Sequence, residues 1–510
     1  MPGDSRFHGI VFNSIAELFF QIQYWIKNYS FAPLLGEPYV ESEVLTYNRY
    51  LTKHTFTFLI SLITYISVAG GISLLYQKKW AWLPPLVLVC LPRFWGHSFF
   101  NPKDIPFAAL FTLCIYLGAY VVGELKKNSS PLYFWKIKRK TIWAISYGIL
   151  VGLLSGIRIG GFIILGFLGL TSLLLIPRKN IGRSLLSYFI HYSLMTISWG
   201  LTVFCFSPSS WSNPFQWFWD AIQYFSQHEW AGTVLFKGEQ IKASELPWDY
   251  LPTWFLITTP IIILVYFLLG LIGLVRTYSQ FRDRQKAYSL LLILQMFTLP
   301  AIAIVKGSTI YDGIRHFLFV LPGIAVIASV GLIWSYQQIS QLKFKRALVA
   351  GTLLCVAIVI FDMVTLHPYE YIYFNRVSGG LKAAQNQYET EYWGLSMRKG
   401  IEWLNENVKK DTVVVVPAPW MHGLVKPFAE SRLTITNLEQ NFEDLHPEES
   451  DFYYLAPPRF NWQTKICSER DFVYTVTRQD VSLTRVKKCQ SKSIKETKAR
   501  IEKSSDRLSL

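Results

Sequence analysis

What most constrains this chain is a succession of apolar runs long enough to cross a lipid bilayer. A spanning helix needs about 20 mostly apolar residues, because the hydrocarbon core is roughly 30 Å thick and each helical residue adds only about 1.5 Å. Ten segments meet or approach that length: 54–76, 81–97, 105–123, 141–157, 161–176, 184–206, 251–276, 288–305, 315–336 and 346–366. Only Arg158, Ile159 and Gly160 separate the fourth from the fifth, so that stretch reads either as two spans or as a span with a re-entrant piece. Composition agrees. Charged residues make up 16% of the chain and hydrophobic ones 51%, whereas a soluble domain carries about 25% charged residues to wet its surface. The 18 Trp and 28 Tyr suit the water–lipid boundary, where an amphipathic ring has one end in each phase.

The loops between these segments alternate in charge. Five of them, around Lys78, between Lys126 and Lys140, at Arg178 to Arg183, at Arg276 to Lys286 and at Lys343 to Arg346, hold 18 Lys and Arg. The intervening loops at 99–104, 158, 207–250 and 306–315 hold six. Lys and Arg collect in cytoplasmic loops, so this alternation predicts which side each loop faces. Much of the +16 net charge is thus a topology signal, and no nucleic-acid partner is expected. Residues 1–53 and everything after 366 are expected outside the cytoplasm. An N-terminus on that side implies either that the tail crosses unaided or that a further span precedes Met1, which would bring the count to eleven.

Outside the spans, Val11, Phe12, Ile15, Leu18, Phe19, Ile22, Trp25 and Ile26 recur at three-to-four spacing, which predicts an amphipathic helix within 9–27, lying in the outer interface or packed on protein. The aromatic loop 207–250 is long enough to cover a site or to act as an interfacial anchor. From 367 the pattern turns soluble, with a helix over 396–408 and strands over 412–416, 432–436, 452–455 and 472–477. The expected organisation is an extracytoplasmic N-terminal segment (1–53), an all-α polytopic membrane domain of about 10 transmembrane helices (54–366), a small extracytoplasmic α/β domain (367–484), and a basic disordered tail (485–510). Cys90, Cys114, Cys205 and Cys355 lie in or at apolar spans and read as small hydrophobes. Cys467 and Cys489 fall where oxidation is permitted, so they are the candidate disulfide.

Ionisable groups at membrane depth are expensive to keep and mark functional sites. Here they gather on the predicted outer side: Asp4, Arg6 and His8; Arg93, His97, Asn101, Lys103 and Asp104; Arg158; and Lys306, Tyr311, Asp312, Arg315 and His316. Two carboxylates facing several cations suit a site that activates a hydroxyl and receives an anionic leaving group. Arg93 and Lys306 read instead as snorkelling residues at span ends. No zinc-ligand spacing, Gly-rich phosphate loop or GxSxG motif occurs.

The strings PRFWGHSFFNPKDIPF (92–107), YDGIRHFLFVLP (311–322) and HPYEYIYFN with the later YETEYWG (367–394), together with GDSRFHG (3–9) and LPWDYLPTW (246–254), resemble bacterial phospholipid-carrier-dependent glycosyltransferases. These form the protein O-mannosyltransferase-like group (glycosyltransferase family 39-like) with the multispan GT-C fold. The resemblance covers about residues 4 to 403. It implies a membrane hexosyl- or pentosyltransferase of cell-envelope glycosylation, moving a sugar from a polyprenyl-phosphate or related lipid carrier to a glycan, lipid or protein acceptor at the outer face of the plasma or inner membrane, with inversion.

Residue by residue, the resemblance makes Asp4 the general base and Asp104 its assistant. Relatives often have Asp–Glu where this chain has Asp4–Ser5. Arg158, Arg315 and His316 would bind the carrier phosphate, with Lys103 and His97 as further candidates, and Arg6, His8, Asn101, Tyr311 and Asp312 would contact acceptor or donor. A guanidinium suits phosphate because its fork of donors matches the oxygens. Related folds work with and without a divalent cation, so a metal is left open. The competing reading is a transporter or flippase of a lipid-linked sugar, which would need internal repeats that the chain lacks. A structural factor without catalysis is a third reading.

Overall fold

A computed structural model describes residues 11–25, 42–126, 139–177, 181–226, 230, 232–437, 451–458 and 472–489. The chain divides into two compact units. The first comprises Met1–Gln23, Thr52–Val234 and Ile241–Asp362; the second comprises Tyr24–Leu51, Leu235–Gln240 and Met363–Leu510.

Among the described residues, seven helices are long and apolar enough to cross a membrane: Asn48–Leu75, Asp104–Leu125, Ile181–Phe206, Ile261–Gln280, Asp283–Lys306, Arg315–Gln338 and Leu342–Leu366. The protein is therefore a multi-pass helical membrane protein, and seven of the ten expected spans have this form. The other three are shorter. Segment 81–97 is not one helix but two, Leu83–Val89 and Pro92–His97, because Pro92 has no N–H to donate and Leu91 before it is extended (φ −99°, ψ 91°). Segment 141–157 forms Arg139–Ser155, and 161–176 forms Ile163–Leu174 behind a 3₁₀ turn at Ile159–Phe162. Segment 251–276 is also interrupted, at Thr259–Pro260, between Tyr250–Thr258 and Ile261–Thr277.

The two most enclosed spans are Arg315–Gln338, 89% buried, and Asp104–Leu125, 72% buried, against 17% for Ile181–Phe206. Phe319 joins them, its ring 4.7 Å from Phe111 and 5.7 Å from Phe107. Their first residues, Asp104 and Arg315, are both charged. Elsewhere, Ile261–Thr277 and Leu321–Gln338 approach backbone to backbone: a Cβ at Gly270 would lie 1.9 Å from the Ile327 carbonyl oxygen, and one at Gly331 1.9 Å from that of Tyr266. Only a residue without a side chain allows this crossing.

The helix Val11–Trp25 forms as the periodicity predicts. Val11, Phe12, Ala16 and Phe20 are buried, while Leu18, Phe19, Ile22 and Trp25 stay exposed, so its apolar residues divide between two faces. The aromatic loop is structured. Pro214–Ser226 is a helix, and β1 (Thr233–Phe236) and β2 (Glu239–Lys242) form a hairpin. Trp217, Phe218 and Tyr224 pack on Ile159 and Ala221, whereas Phe215 is 88% exposed.

In the second unit, β3 (Thr412–Val416), β4 (Leu433–Asn437), β5 (Asp451–Ala456), β6 (Phe472–Arg478) and β7 (Val481–Cys489) form one sheet in the order β4-β3-β5-β7-β6. β3 pairs parallel with β4 and β5; β7 pairs antiparallel with β5 and β6. The helix Met397–Asn407 lays Met397, Ile401 and Leu404 on Val414, Val416, Leu455 and Val486. The strand β7 corrects the expected start of a disordered tail at Arg485: Arg485 to Cys489 are the second half of a strand. Their charges conceal it in the sequence, because the Arg485 and Lys487 cations sit 4.8 and 4.9 Å over the Phe472 ring instead of in solvent. Gln479 and Asp480, both at positive φ (47° and 63°), make the two-residue turn before it. Residues 490–510 lie outside the described residues. Cys489 is disulfide-bonded, and its expected partner Cys467 lies outside the described residues. Cys90, Cys114, Cys205 and Cys355 are free thiols.

Candidate functional site

The site begins where the short helix Pro92–His97 gives way to Asp104–Leu125. Pro102 interrupts the chain, and the first turn of the long helix then needs acceptors for its open N–H groups. Asn101 provides them: its Oδ1 accepts from the backbone N–H of Asp104 at 2.9 Å and of Lys103 at 3.3 Å. Its Nδ2 donates to Asp104 Oδ2 at 2.9 Å and lies 3.1 Å from His97 Nδ1. A carboxylate at a helix N-terminus is also favoured by the helix dipole. Asp104 is only 4% exposed, so its charge must be met inside the protein.

Arg158 meets it. The residue is extended (φ −143°, ψ 127°) between the helix Arg139–Ser155 and the turn Ile159–Phe162, and its Nη2 donates to Asp104 Oδ1. The expected pair of a carboxylate and a phosphate-binding guanidinium is thus in direct contact.

The third contributor is the turn before the most enclosed span. Asp312 and Gly313 both have positive φ (59° and 64°), the region that favours glycine. Two aromatic residues hold the turn: Tyr250 Oη accepts from the Gly313 N–H at 3.3 Å, and a Cβ at Gly313 would come within 3.2 Å of the Trp254 ring. The turn returns Arg315 against Asp312, with Nε 3.2 Å from Oδ2, and over the Tyr311 ring at 4.7 Å. On Tyr311, His316 sits edge-on at 4.7 Å and Trp230 stacks at 4.5 Å.

These cations feel one another. Lys103 is exposed along part of its surface, yet desolvation of its ammonium, followed by the charges of Arg158 and Arg315, pushes it down from 10.5 to about 8. Burial, followed by the Arg315 charge and partly offset by Tyr311, lowers Arg158 to about 9, which leaves it protonated at neutral pH. Lys103, Arg158 and Arg315 therefore form one electropositive cluster beside a buried carboxylate. That arrangement can hold an anion and orient a polar group next to it.

Of the candidate residues, Asp104, Lys103, Arg158, Tyr311, Asp312, Arg315 and His316 come together in this way. Asp4, Arg6 and His8 lie outside the described residues. Val11, the first described residue after them, donates its N–H to the Gly156 carbonyl at 3.2 Å. Arg93 departs from the snorkelling expectation: it is 1% exposed, and its guanidinium lies 5.0 Å over the Trp254 ring. His97 and Asn101 are enclosed as well, at 1% and 0% exposure. Tyr250, Trp254 and Trp230 hold the site without any motif of their own. Their only signal is position, two in the LPWDYLPTW string and one in the aromatic loop. Among the described residues, no three His, Cys, Asp or Glu side chains converge to hold a metal ion.

Comparison with protein-family models and with curated proteins returns no match. Among solved structures, the chain is similar to the oligosaccharyltransferase AglB from Archaeoglobus fulgidus in complex with an inhibitory peptide and a dolichol-phosphate (12% identity, TM-score 0.47, covering 90% of this chain and 62% of that one). It is also similar to ArnT from Cupriavidus metallidurans, in the apo state (12%, TM-score 0.43, 95% and 93% coverage) and bound to undecaprenyl phosphate (11%, TM-score 0.41, 87% and 86%). The chain spans 62% of the length of the archaeal oligosaccharyltransferases it matches. At these scores and identities the likeness assigns no activity.

Proposed function

We propose that this protein is a membrane glycosyltransferase that moves a sugar from a polyprenyl-phosphate carrier to an acceptor at the extracytoplasmic face of the cell membrane, with inversion. The observation that carries the reading is the juxtaposition of Asp104 with Arg158, Arg315 and Lys103 where the two most enclosed apolar helices begin. A lipid-linked phosphate has its charge at that depth and its chain in the bilayer. Two of the strings that resemble lipid-carrier-dependent glycosyltransferases, 92–107 and 311–322, supply Lys103, Asp104 and Arg315 to this cluster.

In this mechanism the acceptor hydroxyl attacks the anomeric carbon and its proton passes to a carboxylate. The bond from that carbon to the phosphate oxygen breaks, and its electron pair leaves on the polyprenyl phosphate. Arg158, Arg315 and Lys103 stabilise the departing charge, which grows in the transition state. Asp104, already bonded to Arg158 and Asn101, orients the acceptor. Asp4 is the base. Val11, which follows it in the chain, is bonded to Gly156, two residues from Arg158. Arg6 and His8 would contact donor or acceptor.

The test is sugar transfer in proteoliposomes from polyprenyl-phosphate-linked sugars. Asp4→Asn, which removes the base, and Asp104→Asn, which removes the group that orients the acceptor, are each expected to lower transfer by about 10²-fold or more. Full activity in both variants would refute the mechanism. Movement of carrier lipid across the bilayer without a new glycosidic bond would favour a flippase.

A further inference from the structure

We infer that Asn101 is the positioning residue of this site, a clamp that fixes the Asp104 carboxylate and the tautomer of His97 without touching substrate. The inference rests on the glycosyltransferase reading only for what Asp104 does. Asn101 has two amide hydrogens and two oxygen lone pairs. The Oδ1 side is used by the backbone N–H groups of Lys103 and Asp104, and the Nδ2 side by Asp104 Oδ2 and His97 Nδ1. With no exposed surface, it has neither a free hydrogen-bonding position nor a path to a ligand. It therefore acts through Asp104.

The geometry divides the work of the side chain. The oxygen caps the helix, which any short acceptor would do. The nitrogen does something a cap does not need: it holds one oxygen of Asp104 while Arg158 holds the other. The carboxylate is then fixed in plane and in rotation. Because Nδ2 can only donate, His97 Nδ1 must accept, and the imidazole hydrogen is placed on Nε2. Asp104 is bonded by Asn101 from the preceding segment and by Arg158 from the turn after Arg139–Ser155; His97 lies behind Asn101, and the neighbouring Lys103 feels the charges of Arg158 and Arg315. Among these, Asn101 alone is both neutral and bonded to the carboxylate.

Two substitutions separate clamp from cap. Asn101→Asp is isosteric and keeps the capping oxygen, but replaces the donor with a second carboxylate beside Asp104. Asn101→Ser keeps a capping oxygen and, without adding charge, replaces the two amide hydrogens that reach Asp104 and His97 with a single hydroxyl hydrogen on a shorter side chain. The first readout needs no sugar: the pH dependence of carbodiimide labelling at Asp104 in the full-length protein, followed by peptide mass. The labelling midpoint is expected to rise in the order wild type, Asn101→Ser, Asn101→Asp, with the last displaced by about one pH unit or more, because two adjoining carboxylates cannot both ionise easily. The second readout is transfer from a polyprenyl-phosphate-linked sugar. Its kcat should fall by about 10²-fold in both variants while KM for the lipid donor stays within about twofold, as for a misplaced group that acts in the transition state. Unchanged midpoints in both variants would overturn the clamp even if wild-type transfer is robust. Shifted midpoints in a protein that transfers no sugar would leave the clamp standing and remove the glycosyltransferase reading.

Discussion

Lys103 makes the site sensitive to pH in a direction that can be worked out. Its ammonium titrates near 8 instead of 10.5, so it is charged below about 8 and neutral above. Binding of polyprenyl phosphate should weaken as pH rises through about 8, and Lys103→Met should flatten that dependence while lowering affinity at pH 7. Stability moves the other way: the folded state holds fewer protons than the unfolded chain between 8 and 10.5, so this group favours folding more as pH rises through that window. Glu391 shows the opposite sign. Burial raises it from 4.5 to about 7, against the pull of the Tyr371 hydroxyl and the N–H groups of residues 393–395. Its contribution is complete below 4.5 and lost as pH rises through about 7. Thermal denaturation should therefore show a melting temperature that falls between pH 5 and 8, and Glu391→Gln should remove most of that fall. Asp104, Arg158 and Arg315 were legible in the sequence because charge at a span end is conspicuous. The enclosure of Arg93 and Asn101 was not, since whether a polar side chain snorkels or is enclosed depends on what the rest of the chain lays over it, here Trp254 for Arg93.

At the level of elements, the crossing of Ile261–Thr277 with Leu321–Gln338 depends on two glycines whose added Cβ would strike backbone oxygen at 1.9 Å. Gly331→Val should force the pair apart and cost about 1–3 kcal/mol, as overpacking does, read as a lower melting temperature in detergent. Gly351→Val, with open space around it, is the matched control and should change little. Apolar length predicted where helices lie, but it did not say where prolines divide them. Pro92 and Pro260 each interrupt a run that hydropathy alone joins. The β7 strand was hidden for the converse reason: Arg485, Lys487 and Lys488 read as a solvated tail until the Phe472 and Tyr453 rings beneath them are seen.

For the molecule as a whole, the proposed function has a cationic cluster at one end of an apolar bundle receive the phosphate of a lipid carrier while a sugar leaves it. The most direct test is the formation of a glycosidic bond by the purified full-length protein in sealed proteoliposomes supplied with a radiolabelled polyprenyl-phosphate sugar and candidate acceptors. Labelled product is expected from the wild type, with transfer lowered about 10²-fold in Asp104→Asn and a raised KM for the lipid donor in Arg315→Ala. Transfer that is equally fast in all three proteins, or carrier movement with no product from any of them, would contradict the proposed function.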